Sequence, residues 1–97
     1  MSKITFISRM TVKPGFEKEF VAICRQLEKY VYANERDTTW FEFFKLREPQ
    51  RYAVVESFPN EAAEHLHMSS KMLAEAGPKI SACLDGTWSR EYLDPLS

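Results

Sequence analysis

The chain is poor in glycine, cysteine and histidine, and it carries no surplus of charge. Three glycines in 97 residues leave no glycine-rich loop of the kind that cradles a nucleotide phosphate. The two cysteines, Cys24 and Cys83, are each embedded in an apolar helical pattern, so they read as reduced core residues and not as a disulfide framework or a metal site. The two histidines, His65 and His67, are two apart on a predicted helix, roughly 200° around its axis, a poor placement for chelating one metal together. No metal, flavin or haem is therefore expected. Thirteen basic against fourteen acidic side chains give a net charge of -1, which offers nothing to a phosphate backbone or an anionic membrane. No stretch reaches the ~18 apolar residues of a membrane span, and the opening MSKITFISRMTVKPGF lacks the apolar core and cleavage site of a signal peptide. A cytoplasmic protein with neither nucleic acid nor membrane as partner is expected. Without repeats, low-complexity tracts or Ser/Gly-rich linkers, residues 1–97 read as a single domain.

Aromatic residues are abundant. Seven Phe, four Tyr and two Trp make up 13% of the chain, within a globular composition of 44% hydrophobic and 28% charged residues. A domain of this length buries roughly 65% of its unfolded surface. Its core has less need of rings than this, so some are expected to line a pocket or an interface.

Periodicity divides the chain into six elements. Lys3 to Val12 alternate as a strand, which Pro14 and Gly15 stop. Phe16, Phe20, Ile23, Leu27 and Tyr30 recur at three- and four-residue steps and predict a helix to about Ala33, with Pro14 suited to its first turn. Thr38 to Leu46, dense in β-branched and aromatic residues, is a second strand. Arg51 to Phe58 is a third, paired with it across the turn Arg47–Gln50. Asn60 offers an N-cap to an Ala/Glu-rich helix that bends near Ser69 and Ser70 and is interrupted again at Gly77-Pro78. Thr87 to Leu93 closes the chain as a fourth strand after the turn at Asp85-Gly86.

The order β-α-β-β-α-β predicts an α+β, ferredoxin-like fold, an antiparallel sheet with its helices on one face. In the second strand Trp40, Glu42, Phe44 and Leu46 share one side, while Phe41 and Phe43 share the other. Rings on both faces exceed what the chain's own helices can cover, so a homodimer joined through the open sheet face is expected, closing a dimeric α+β barrel.

Few side chains are equipped for chemistry near neutral pH. His67 has Ala63, Ser70 and Ala74 around it on the helix, which predicts room beside the imidazole, and Lys71 at i+4 keeps part of that face near water. The alternative is a surface or capping histidine without a ligand; His65 is expected to face water. Glu42 and Glu56 each share a strand face with apolar groups, Trp40 and Phe44 for the first and Val54 and Phe58 for the second. A carboxylate so placed needs a partner or a raised pKa if it is buried. The alternatives are a solvated carboxylate or a salt bridge to Arg9 or Arg90.

The spacing of strand, Pro14-Gly15, helix with Phe20, Glu35 at the helix end, the Phe41-Glu42-Phe43 strand, Glu56 and Ala63 ahead of His67-x-x-Ser70 resembles the antibiotic biosynthesis monooxygenase family of dimeric α+β barrels. The resemblance spans nearly the whole chain. Two departures stand out: Thr38-Thr39 replaces the Gly-Cys common before the second strand, and Met72 and Leu73 replace the second His and the Phe that often follow His-x-x-Ser. Haem-degrading relatives use an Asn on the first strand with a Trp and a His on the second helix. The positions aligned with these hold Ser8, His67 and Gly77, so a haem site is not expected.

The resemblance implies a cofactor-independent monooxygenase that acts with O2 on a quinol or polyketide-type phenol in an aromatic pocket. His67 is the expected base, with Glu56 orienting it, and Trp40, Glu42, Phe44, Tyr52 and Ser70 are the expected substrate contacts. Deprotonation gives a phenolate able to pass one electron to O2 without a cofactor. An isomerase using acid/base chemistry in the same pocket, or a non-catalytic metabolite-binding dimer, is equally compatible with these residues.

Overall fold

The computed structural model describes residues 3–96. The elements run β1 (Ile4–Thr11), α1 (Glu17–Asn34), β2 (Trp40–Lys45), β3 (Arg51–Phe58), α2 (Glu61–Met68), α3 (Lys71–Cys83) and β4 (Ser89–Tyr92). The four strands form one antiparallel sheet in the order β2-β3-β1-β4, the ferredoxin-like α+β arrangement.

Register decides which side chains face the helices. Phe41 lies opposite Glu56 and Phe43 opposite Val54, while Phe6 and Ser8 of β1 meet Glu56 and Val54 from the other side. All of these therefore share one face, and it packs against Phe20, Leu27 and Val31 of α1 and Ala76 and Cys83 of α3. Phe6, Phe58 and Ala63 close the core at the α2 end. On the opposite face Trp40 is 43% and Phe44 38% exposed. Cys24 and Cys83 are free and buried.

Two local expectations fail. Pro14 does not enter the first turn of α1. Gly15 follows it at φ 86°, a left-handed conformation that ends any helix begun there, so the helix starts at Glu17 with Phe16 as N-cap. Gly77-Pro78 does not interrupt α3, which runs through it to Cys83. Pro78 forfeits one backbone hydrogen bond, but Leu73, Ala76, Ile80 and Cys83 pack on the core to either side of it and keep the segment helical.

The second helical region is capped twice, at Asn60 as the sequence suggests and at Ser70, which the sequence marks only as a bend. Asn60 accepts a bond from the Ala63 N–H at 2.9 Å, opening α2. Ser70 accepts one from the Leu73 N–H at 3.1 Å, opening α3. Between the caps the chain turns at Ser69, and His67, in the last turn of α2, lies against the sheet's Phe41 and Phe58.

Candidate active site

Three elements converge on His67. It is 1% exposed, with its imidazole between the rings of Phe41 at 5.0 Å and Phe58 at 5.4 Å between centroids. Its small helical neighbours do leave room, but the sheet's rings fill it and no part of the imidazole stays near water. Nδ1 is 2.7 Å from Glu35 Oε1. Nε2 is 3.3 Å from Glu56 Oε1, close enough for an ion pair but not aligned as a hydrogen bond.

Glu35 and Glu56 arrive by different routes. Glu35 terminates α1, its N–H bonded to the Val31 carbonyl, and its Oε1 also accepts from the Thr38 hydroxyl at 3.1 Å. Its Oε2 is buried and has no partner among the described residues. Glu56 faces the helices because β3 alternates, putting Tyr52, Val54, Glu56 and Phe58 inward. It forms no salt bridge to Arg9 or Arg90, since Arg9 pairs with Glu91 on the opposite face of the sheet.

Burial, the largest single influence on His67, disfavours the imidazolium. Glu56 and then Glu35 outweigh it together, and hold the pKa above its ordinary value of 6.5. The two carboxylates thus favour the imidazolium, which when protonated is a buried cation between them. The two carboxylates flank opposite edges of the ring and do not converge on one point. Among the described residues no group of three or more His, Cys, Asp or Glu is arranged to hold a metal.

A cavity of about 310 Å³ opens beside this cluster. Phe41, Phe43, Val54 and Met10 line its sheet side, and Leu27, Leu73, Ile80 and Leu84 its helical side. Besides the Ser81 hydroxyl, polar groups enter in two places: Glu56 with His67, and Ser8 with Arg90. A mostly apolar hollow with a few convergent polar groups is the usual form of a small-molecule site.

The expected substrate contacts lie elsewhere. Trp40, Glu42 and Phe44 are on the outer face of β2, where Trp40 Nε1 donates to Glu42 Oε1 at 2.9 Å and leaves that carboxylate solvated. Tyr52 faces inward but toward α1, its ring 4.9 Å from Phe20 and its hydroxyl donating to Glu17 Oε1 at 2.8 Å. Burial and that bond push its pKa up to about 12. Glu42, Phe44 and Tyr52 border a separate depression of about 290 Å³, and Ser70 is engaged as the cap of α3. The cavity's rings are Phe41, Phe43 and Trp88 instead. Counting outward from the hairpin turn, with Lys45 opposite Tyr52, puts Phe41 and Phe43 on the face of Glu56. That count is available from the sequence.

A sequence model of the antibiotic biosynthesis monooxygenases matches residues 4–78. No curated protein sequence matches the chain. Among solved structures, a Caulobacter crescentus CB15 protein provisionally assigned as an antibiotic biosynthesis monooxygenase superposes with a TM-score of 0.93 at 24% identity, over 99% of this chain and 92% of that one. A conserved protein from Methanosarcina mazei Go1 gives 0.87 at 23% identity, over 97% and 93%. A protein from Mycobacterium tuberculosis gives 0.89 at 14%, over 99% and 97%. These likenesses extend the sheet order and helix placement to distant sequences, and the match over residues 4–78 reaches from β1 into α3, through every element that meets at His67. The chain belongs to the antibiotic biosynthesis monooxygenase family.

Proposed function

We propose that this protein is a cofactor-independent monooxygenase of an electron-rich phenol, of the quinol or polyketide type, acting as a homodimer. The observation that supports this reading is the ring-walled cavity bordered by the buried Glu35–His67–Glu56 cluster. Glu56 accepts the phenolic proton, and the His67 imidazolium 3.3 Å from its Oε1 stabilises the negative charge that develops on the substrate oxygen. Glu35 holds the other edge of the imidazole. The notional base thus becomes a pair: Glu56 moves the proton and His67 supplies the charge.

The phenolate passes one electron to O2, and the phenoxyl radical and superoxide combine to form a C–O bond at a ring carbon that bears hydrogen. Glu56 returns its proton to the resulting peroxide. The O–O bond then breaks as the carbon loses its hydrogen, leaving a carbonyl and water. Overall the phenol loses two hydrogens and gains one oxygen atom, the other oxygen leaves as water, and the substrate is the only reductant. The protein need contribute only proton transfer, worth about 100-fold to 10,000-fold in rate, and a dry apolar cavity.

Oxygen uptake with a panel of hydroquinones and phenols tests the proposal. Uptake is expected with protein free of flavin, metal and haem, lowered about 100-fold or more by Glu56→Gln. Conversion without oxygen uptake supports the isomerase instead, and binding without conversion supports the metabolite-binding dimer.

A further inference from the structure

The mechanism leaves one charged group of the cavity unused. Arg90 lines the cavity from β4, opposite Ser8 in the strand register. Its guanidinium lies 4.0 Å from the centroid of Phe6 and 4.8 Å from that of Trp88, and its Nε donates to the buried Ser8 hydroxyl at 3.3 Å. It makes no ion pair among the described residues. Glu61 and Glu64 border a groove on its outer side without coming within ion-pair distance. A guanidinium carries five N–H donors in a planar fork suited to a carboxylate. Here Ser8 uses one, the rings fix the plane, and the rest have no carboxylate partner.

We propose that Arg90, held by Ser8 and Trp88, is a carboxylate-binding subsite, and that the ligand of this cavity is an aromatic acid whose ring carries a hydroxyl remote from the acid group. Two facts support a carboxylate over a neutral group. Arg90 is the one cation lining the cavity that has no carboxylate within ion-pair distance among the described residues, since His67 already has two. Arg90 is half-buried against a mostly apolar cavity wall, where a charge-assisted hydrogen bond is stronger than in open water. Geometry supports the remote hydroxyl. Ser8, which holds Arg90 Nε, pairs with Val54, two residues from Glu56, so the anchor of the guanidinium and Glu56 are a diagonal of roughly 7–8 Å apart across neighbouring strands. With the acid on Arg90, a fused bicyclic ring is long enough to bring a far hydroxyl to Glu56. The subsite rests on the oxygenase reading only for the fate of that hydroxyl.

Calorimetric titration at pH 7.5 with 6-hydroxy-2-naphthoate and its methyl ester separates the two ideas, because it reads binding and not turnover. The acid is expected to bind at least about tenfold more tightly than the ester, the margin of one charge-assisted pair. In Arg90→Gln that margin disappears while the ester's affinity stays within about threefold; in Arg90→Lys, which keeps the charge, part of it persists. Equal affinities in the wild-type protein, a preference that survives Arg90→Gln, or failure of both probes to bind overturns the subsite, and the wild-type comparison stands even if a variant folds poorly. A clear acid preference without oxygen uptake by any phenol upholds the subsite and sinks the oxygenase. Uptake with neutral quinols and no acid preference does the reverse.

Discussion

Replacing His67 by alanine should cost this protein far more than its small helical neighbours suggest. The substitution removes the cation between Glu35 and Glu56, whose side chains are only 13% and 7% exposed, so water screens little of the loss. Breaking a buried pair by deleting one partner costs about 3–5 kcal/mol, because the charge left behind is neither solvated nor compensated. At about 4–8 °C per kcal/mol for a domain of this size, the melting temperature should fall by roughly 12–40 °C. The cause can be separated from simple loss of packing. In a Glu35→Gln/Glu56→Gln background no carboxylate is orphaned, so His67→Ala should cost less there by about 1–3 kcal/mol. Urea unfolding of the four proteins at one fixed concentration gives both numbers. A His67→Ala loss under about 1 kcal/mol, or the same loss in both backgrounds, would refute the buried-cation reading.

Three further outcomes follow from the same geometry. The His67 pKa is raised above 6.5 in the folded state, so its contribution to stability is complete below about pH 6.5 and is lost as pH rises through the folded value. Urea midpoints taken between pH 6 and 9 should decline for the wild-type protein and lose that component in the background where His67 is alanine. His65 is exposed, and His65→Ala should leave both stability and turnover within about twofold of wild type, whereas Glu56→Gln should not; equal turnover of all three removes Glu56 from the chemistry. Light scattering at micromolar concentration should give the mass of a dimer, and Trp40→Lys with Phe44→Lys should convert it to monomer, since those rings are 43% and 38% exposed on the sheet face without helices. A wild-type monomer would contradict the dimer proposal.

The fold was legible because its signals are local. Alternation in β1 and β3, the dense rings of β2, the Asn60 cap and the bend near Ser69 and Ser70 are each read within a few residues, and together they specify the order of strands and helices. The site was legible only where a single residue advertised itself. His67 and Glu56 stood out as ionisable groups among apolar neighbours, and both reach the cluster. The position of Glu35 beside His67 depends on the end of α1 meeting α2, a contact spanning 32 positions. That of Arg90 depends on β4 lying beside β1, with Ser8 82 positions away. Neither distance leaves a mark in the local pattern. That Trp40, Glu42 and Phe44 lie away from the cavity has a different origin. The parity of β2 was clear, but the face that holds the cavity is set by the register with β3, where Phe41 meets Glu56.

The most direct measurement of the oxygenase chemistry is isotopic. Protein verified free of flavin, haem and transition metal is mixed with a turned-over phenol under 18O2, and the product and water are analysed by mass spectrometry. One 18O atom in each new carbonyl, the other recovered in water, and the loss of this labelling in Glu56→Gln are the predicted results. Product lacking 18O, product labelled only from 18O-water, or undiminished labelling in Glu56→Gln would contradict it.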